Sequence, residues 1–254
     1  MIKILYAYPE LLNIFGAAGD VDVLAAYIKA CGEEVQLDRI EVGDAVSLSD
    51  YDMLYFGAGT EDRTIIALKD IKHYEGQLKD YINAGGNVLM IGTASMLVYS
   101  DIVNTDGSRY EGLGIVSGTA RIYQKKDYSD VIGSCSLCET PIMGAINSSV
   151  VVDCVKSAVA DENVKAFITL DFDSNSYYKN TASETEALGH EGYVYKNCIG
   201  TEVFGPVFAR NPEFLAAFCK DRFNIELKGE EPTWLKEARL GYEYAINLMK
   251  SSVK

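Results

Sequence analysis

Four short apolar segments near the amino terminus constrain the fold more than any other feature of the sequence. They are residues 2–6, Val35–Ile40, residues 52–57 and Asn87–Ile91, and each has the length and composition of a buried strand. Between them, apolar residues recur at helical spacing from Leu24 to Cys31, and a longer helical stretch is predicted over residues 62–84. Asp20 is placed to cap the first of these helices. The alternation predicts a doubly wound, mainly parallel α/β sheet.

The character of the chain changes after about residue 112. Short strand candidates follow, separated by loops rich in Gly, Asn and Ser, and they predict an antiparallel extension of the sheet; they are residues 114–117, 131–137, 149–154, 166–170 and 193–204. The polar stretch 171–189 is expected to be a long loop. Two helices, one after Asn211-Pro212 and one over residues 232–249, close the chain. No repeat or linker divides the sequence, which predicts one domain over residues 1–254.

The charge balance excludes some classes of function. Acidic residues outnumber basic residues by 37 to 23, so the formal net charge is −14. A surface of that sign repels phosphate backbones and anionic lipid headgroups, so we expect no nucleic-acid binding and no membrane binding. No apolar stretch reaches the roughly 20 residues that span a bilayer, and the amino terminus lacks the pattern of a signal peptide. We therefore expect a cytoplasmic protein whose six cysteines are reduced thiols.

The passage out of the fourth apolar segment is the clearest candidate for a functional site. The strand at Asn87–Ile91 runs into the small residues Gly92, Thr93, Ala94 and Ser95, and then into an apolar helix start. Such a strand–elbow–helix arrangement holds a nucleophile at the positive end of a helix, where the pKa of a thiol is lowered. The elbow of this chain contains no cysteine.

Four further motifs occur in order along nearly the whole chain. They are YPELLNIFG at residues 8–16, GAGTEDR at 57–63, EGLGI at 111–115 and GYVYKNCIGTEVFGPVFARNP at 192–212. They resemble the patterns YP-x-LLN-x-YG, GGGQDRE, EGLGL and G-x-x-Y-K-N-x-x-G-T-Y-L-H-G-P-L-L-x-x-N-P. These patterns are typical of class I glutamine amidotransferase domains of the cobyric acid synthase type, and within them of the glutaminase subunits of lipid II isoglutaminyl synthases.

The resemblance implies a flavodoxin-like α/β fold and a thiolate that attacks glutamine with the help of a histidine. It also implies that backbone N–H groups around Gly57, Ala58 and Gly59 hold the oxyanion, beside Thr93. It implies no cofactor and no metal.

The sequence departs from the family pattern at the two positions that carry the chemistry. Against the family's V-L-x-I-C-G-G-Y-Q, residues 88–96 read VLMIGTASM, so Gly92 occupies the position of the nucleophilic cysteine. In the last motif, Phe204 occupies the position of the general-base histidine. Loss of a nucleophile alone costs on the order of 10⁶ in turnover in a comparable catalytic unit. The sequence therefore predicts a catalytically inactive relative that acts as a binding or regulatory subunit in peptidoglycan synthesis.

The retained motifs indicate what such a subunit would bind. We expect a Mur-ligase-like partner or a second copy of the chain to dock on residues 8–16, on residues 200–206 and on the closing helix. We also expect the former glutamine pocket to take a small-molecule ligand.

An active enzyme is the alternative interpretation. Thr93 and Ser95 carry hydroxyl groups at the elbow, and such a hydroxyl needs a strong base to act at neutral pH. His190 lies in a glycine-bearing loop. It is either a solvated residue or, together with Glu191, an unorthodox base folded over the pocket. In this alternative, Thr93 or Ser95 with His190 releases ammonia from glutamine for a partner ligase.

Two other groups of residues invite a metal or redox function. Cys135 and Cys138 form a single C-x-x-C, which without a second pair favours structural thiols. A strand through both would place them on opposite faces. The 171–189 loop contains four acidic residues, which are Asp171, Asp173, Glu184 and Glu186. They either are solvated or bind a divalent cation together, and we favour solvation.

Overall fold

A computed structural model describes residues 1–152, 163–174 and 190–251 of the chain. The strands are β1 Ile2–Ala7, β2 Val35–Ile40, β3 Met53–Phe56, β4 Asn87–Ile91, β5 Tyr99–Val103, β6 Arg109–Glu111, β7 Val116–Cys135, β8 Cys138–Val152, β9 Val164–Lys165, β10 Ile168–Asp173, β11 His190–Glu191, β12 Tyr193–Tyr195 and β13 Cys198–Thr201. The α-helices are α1 Ala17–Ala30, α2 Glu61–Ile71, α3 Glu75–Asn83, α4 Val207–Arg210, α5 Pro212–Phe223 and α6 Thr233–Ser251, and 3₁₀-helices lie at Leu48–Asp50, Lys72–Tyr74 and Gly92–Val98.

The main sheet confirms the predicted doubly wound architecture. Its strand order is β2-β1-β3-β4-β13-β12-β9, and β2, β1, β3, β4 and β13 are parallel. Every residue of β3 and β4 is buried, as expected of strands covered on both faces. Since β3, β4 and β13 are adjacent and parallel, their carboxyl ends meet at one edge of the sheet, which is where such folds place ligands.

The apolar core lies on both faces of this sheet. Alternate strand residues divide between two clusters: Leu54, Phe56 and Val88 belong to one, and Tyr55 and Leu89 belong to the other. This division follows from the two-residue period of a strand. The sheet is thereby fixed from both sides, which makes its carboxyl edge a rigid support.

The antiparallel strands fall in two places. β12 and β9 continue the main sheet as antiparallel strands at its edge. The predicted antiparallel extension is correct only in part, because within the candidate 193–204 β12 is antiparallel whereas β13 is parallel to β4. The others belong to a second sheet, ordered β11-β10-β7-β5-β6 with β8 paired to β7. Within it β7 and β8 form a long hairpin, whereas β5 and β7 are parallel.

Two predicted helices differ from the structure. The stretch 62–84 is divided into α2 and α3 by the 3₁₀ turn Lys72–Tyr74. The segment after the elbow, Gly92–Val98, is a 3₁₀-helix that passes directly into β5. All seven of its residues are buried, and a tighter helix of this kind is common in short connections.

The predicted cap at Asp20 is wrong. Gly16, with φ 83°, stands at the N-cap of α1. Asp20 is buried, and its carboxylate accepts the backbone N–H of Phe208 at 2.7 Å and the Tyr55 hydroxyl at 3.1 Å. This side chain therefore joins α1 to the start of α4.

The predicted placement of Cys135 and Cys138 on opposite faces is also wrong. They face each other across the β7–β8 hairpin, because a two-residue turn at Ser136 and Leu137 separates them. Both are free thiols.

Part of the predicted 171–189 loop can be placed. Residues 171–173 belong to β10 and not to a loop, and Asp171 is exposed. Residues 175–189, with Glu184 and Glu186, and also Cys154, lie outside the described residues. Within the described ranges, no three His, Cys, Asp or Glu side chains are gathered as metal ligands would be. In the same ranges, no helix combines the length and the apolar character needed to cross a bilayer.

Candidate functional site

The elbow at Gly92 has the backbone conformation of a nucleophile turn without a nucleophile. β4 ends at Ile91, and Gly92 follows with φ 59°. Side chains rarely adopt this left-handed region, and glycine enters it without steric cost. A left-handed turn thus follows β4 at Gly92, and glycine presents no side chain there.

The space above Gly92 is occupied by Ala58. A Cβ built on Gly92 would lie 2.9 Å from the Ala58 Cβ and 3.6 Å from its Cα. Two carbon atoms pack at 3.5–4.0 Å, so any side chain at position 92 requires a shift. The family pattern has glycine at position 58, and the two small residues therefore complement each other.

The loop that carries Ala58 is held from several sides. A Cβ at Gly59 would lie 2.7 Å from Leu12 Cδ2, so this position requires glycine. The Thr93 hydroxyl donates to the Gly59 carbonyl at 3.0 Å and accepts the Gly59 N–H at 3.2 Å. It also lies 2.7 Å from the Thr64 hydroxyl. Thr93 thus ties the loop to the elbow, and the Gly59 N–H has a partner within the chain.

Phe204 forms an aromatic wall together with Phe15. It follows β13, and its backbone N–H donates to the Ala145 carbonyl of β8 at 3.0 Å. Its ring stacks on that of Phe15, with centroids 4.3 Å apart and planes at 24°. Phe15 has φ 57° and is 41% exposed. Non-glycine residues in this backbone region are uncommon and concentrate at functional sites.

Glu202 is a buried carboxyl at the same site. It is 9% exposed, and its Oε1 accepts the Ser95 hydroxyl at 3.0 Å. The Ser148 hydroxyl also hydrogen-bonds to it, and burial raises the pKa of the carboxyl to about 7.

A second buried carboxyl, Glu191, fixes the segment that carries Glu202. Its Oε1 accepts the Glu202 backbone N–H at 2.6 Å, and its Oε2 accepts the Thr201 hydroxyl at 2.6 Å. Burial, with a smaller contribution from the nearby Glu202, raises the pKa of Glu191 to about 8. Glu191 is a positioning residue for the end of β13.

Lys126 reaches the site from an irregular part of the β7–β8 hairpin. The pairing of these strands shifts between Ile122 and Asp127, and such irregularities re-aim side chains. The Lys126 Nζ lies 3.0 Å from Oε1 of Glu61, the first residue of α2. Glu61 also accepts the Ser149 hydroxyl. Hydrogen bonds from Ser149 and Lys126, with the Lys126 charge, outweigh the burial that opposes them and lower the Glu61 pKa.

These elements enclose one small cavity. It is lined by Phe15, Ala58, Gly59, Gly92, Thr93, Lys126, Asn147, Glu202 and Phe204. Its volume is about 10 Å³, which is about the space of one water molecule. The predicted residues Ala58, Gly59, Gly92, Thr93 and Phe204 therefore share one site.

Other predicted site residues lie outside this lining. Gly57 is packed beneath the loop, where a Cβ would strike the Leu12 carbonyl oxygen. Ser95 is 3% exposed and lies behind Glu202. His190 is exposed in β11 and pairs with Thr169 of β10. The Ser95 hydroxyl thus donates to Glu202, and the structure does not bring His190 into the cavity lining.

The chain is similar to known proteins along most of its length. Residues 3–212 match the family described as the CobB/CobQ-like glutamine amidotransferase domain. The chain is 26% identical over 214 residues to the lipid II isoglutaminyl synthase (glutamine-hydrolyzing) subunit GatD of Streptococcus pneumoniae, covering 83% of this chain and 76% of that protein. It is 22% identical over 212 residues to the subunit of the same name of Staphylococcus aureus, covering 84% and 80%.

Solved structures show the same fold. A glutamine amidotransferase crystal structure matches with a TM-score of 0.53 at 12% identity, covering 86% of this chain and 98% of that one. A glutamine amidotransferase from Thermotoga maritima matches with a TM-score of 0.50 at 11% identity, covering 98% and 92%.

Proposed function

The chain belongs to the family of CobB/CobQ-like glutamine amidotransferase domains, and on that premise we propose that it is a binding or regulatory subunit that does not hydrolyse glutamine. The observation that carries this proposal is the contact between positions 58 and 92. Gly92 supplies no nucleophile, and the Ala58 methyl group stands 2.9 Å from where a Cβ would be.

The rest of the site supports the same conclusion. Phe204 has no proton to transfer, and its ring is stacked on Phe15. The Gly59 N–H, one of the expected oxyanion donors, is bound to the Thr93 hydroxyl. A cavity of about 10 Å³ has no room for a glutamine side chain in this conformation. On this proposal the nucleophile and the general base of hydrolysis are absent, and one expected oxyanion donor already has a hydrogen-bond partner within the chain.

A protein partner is part of the proposal. Two relatives are subunits of a synthase by name, which favours a ligase partner of the Mur-ligase type over self-association. The motif at residues 8–16 contributes less surface than its sequence suggests. Tyr8 and Leu12 are buried, and the Tyr8 hydroxyl donates to Asp70 at 2.8 Å. The docking surface therefore lies mainly on exposed residues around Phe15 and on α6.

The first test is ammonia release from L-glutamine by the purified chain, alone and with the Mur-ligase-like protein encoded nearest to it. We expect no release above that of a heat-denatured sample in either case. Any release above this level overturns the proposal. In that event, loss of ammonia release in one of three alanine variants identifies the hydroxyl or the base that acts; the variants are Thr93→Ala, Ser95→Ala and His190→Ala.

The partner is tested by co-expression with the same ligase and size-exclusion chromatography. We expect a complex of the two chains that survives the column. Elution of the two proteins at their separate positions contradicts the partner half of the proposal and leaves the hydrolysis result unaffected.

A further inference from the structure

We propose that the former catalytic pocket is rebuilt to bind a primary ammonium group at the end of a slim carbon chain, held between the Glu202 carboxylate and the Phe15–Phe204 aromatic pair. This inference rests on the proposed function, because it requires that the pocket no longer serves glutamine hydrolysis. It concerns the chemistry of the ligand, which neither the family match nor the sequence motifs specify.

Glu202 is the one acidic residue of the cavity lining. Only 9% of its surface is exposed. Ser95 and Ser148 donate hydroxyl hydrogen bonds to it, which orient the carboxyl without neutralising its charge. Among the described residues, no Lys or Arg lies within ion-pair distance of Glu202. A buried carboxylate without a counter-ion is costly, and a bound cation removes that cost.

Among the described residues, the charged groups around Glu202 supply no counter-ion. Glu61 and Glu191 are both acidic. Glu61 raises the pKa of Glu202, and Glu202 raises the pKa of Glu191. Lys126 is the one cation in the cavity lining, and its Nζ is bound to Glu61 at 3.0 Å. The local balance is therefore negative whenever Glu202 is ionised.

The aromatic residues of the lining are suited to the same ligand. The face of an aromatic ring is negative and attracts an ammonium group within about 6 Å of the ring centroid. Phe15 and Phe204 both line the cavity, and Phe15 is 41% exposed. A cation between a carboxylate and an aromatic face has favourable contacts on both sides.

The size of the cavity sets the shape of the ligand. A volume of about 10 Å³ admits a group the size of one water molecule, which fits an NH₃⁺ head and excludes a quaternary ammonium. Phe15 and Lys126 are the exposed residues of the lining, so we infer that the cavity opens to solvent beside them. An unbranched chain can leave by this route, and a bulky group next to the nitrogen cannot.

The experiment is calorimetric titration of the full chain at pH 7 with n-butylammonium chloride, compared with neutral n-butanol and anionic butyrate. We expect saturable binding of n-butylammonium and none of the other two. In Glu202→Gln, which keeps the size of the side chain, affinity for n-butylammonium falls by about tenfold or more. In Phe204→Leu it falls by about threefold.

Proton release gives a second readout. Because a bound cation favours the ionised form of Glu202, whose pKa is raised to about 7, binding at pH 7 releases protons. The binding heat then depends on the ionisation enthalpy of the buffer, and this dependence disappears in Glu202→Gln. Glu237→Gln, which neutralises an exposed glutamate of α6, is the matched control and leaves both readouts unchanged.

The inference is overturned if n-butanol binds as tightly as n-butylammonium, if Glu202→Gln binds like the parent chain, or if no binding is seen while circular dichroism shows a folded protein. Its failure is distinct from that of the proposed function. Ammonia release from glutamine tests hydrolysis alone, and a chain that releases no ammonia and binds no n-butylammonium keeps the first proposal and loses the second.

Discussion

At the scale of single residues, the pairing of Ala58 with Gly92 makes a quantitative prediction. Gly92→Ala introduces a side chain at φ 59°, which costs about 1–2 kcal/mol, and a contact at 2.9 Å with Ala58, which costs about 1–3 kcal/mol more. In an Ala58→Gly background only the first cost remains. Urea unfolding of the parent, both single variants and the double variant should therefore give a coupling free energy of about 1–3 kcal/mol.

Gly107 provides the control for this experiment. It has φ 84°, and nothing lies within 4 Å of the position of a Cβ. Gly107→Ala should show the backbone cost alone and no coupling to Ala58→Gly. Additive effects of the two substitutions at positions 58 and 92, within about 0.5 kcal/mol, would show that the two residues do not compete for space.

The sequence predicts some of these site residues and misses others. Gly92 and Phe204 follow from motif positions, because each lies in a short segment with a recognisable pattern. The Ser95–Glu202 hydrogen bond joins residues 107 positions apart, and neither segment alone reveals it. The aromatic stack is missed for the same reason, since Phe15 and Phe204 belong to different motifs.

At the scale of elements, the prediction succeeds where burial decides the pattern. β1, β3 and β4 are short apolar runs covered on both faces, and sequence alone identifies them. β7 is 20 residues long. The sequence predicts strands only near its two ends, at 114–117 and 131–137, because polar residues between Tyr123 and Asp130 interrupt the apolar pattern. Here pairing with β8 outweighs local propensity. Asp20 was misassigned because its partner in α4 lies 188 residues away.

The role of Asp20 in joining α1 to α4 is testable. Asp20→Ala leaves the buried Phe208 N–H without its acceptor and should lower the free energy of unfolding by about 1–3 kcal/mol. The measurement is urea unfolding at pH 6, below the pKa of about 7 to which burial raises this carboxyl.

Asp22 offers a matched control on the same helix. It is exposed, so Asp22→Ala should change the free energy of unfolding by no more than about 0.5 kcal/mol. Equal effects of the two substitutions would contradict the role assigned to the bond between Asp20 and Phe208.

At the scale of the whole molecule, three buried carboxyls link stability to pH. Burial raises the pKa of Asp20 to about 7, that of Glu191 to about 8 and that of Glu202 to about 7. Carboxyls of the unfolded chain have pKa values near 4. Between these limits the folded protein holds protons that the unfolded chain has lost, so the stabilisation is fully present below about pH 4 and is lost as the pH rises to about 8.

The free energy of unfolding should therefore decrease from pH 5.5 to pH 8, by at most about 1.4 kcal/mol per pH unit for each group. Glu191→Gln keeps a neutral side chain at one of these positions and should make the decrease shallower. Glu139→Gln, at an exposed position, should leave it unchanged. Urea unfolding at several pH values measures the slope, and identical slopes for Glu191→Gln and the parent would contradict the assignment.

The Ala58 methyl group also restricts how this protein can change over generations. A cysteine at position 92 would meet that methyl group, so replacing the glycine carries a stability cost for as long as position 58 keeps its methyl group. On the proposed function, hydrolysis would require changes at positions 58, 92 and 204 together, and a change at any one of them alone would bring no catalytic benefit.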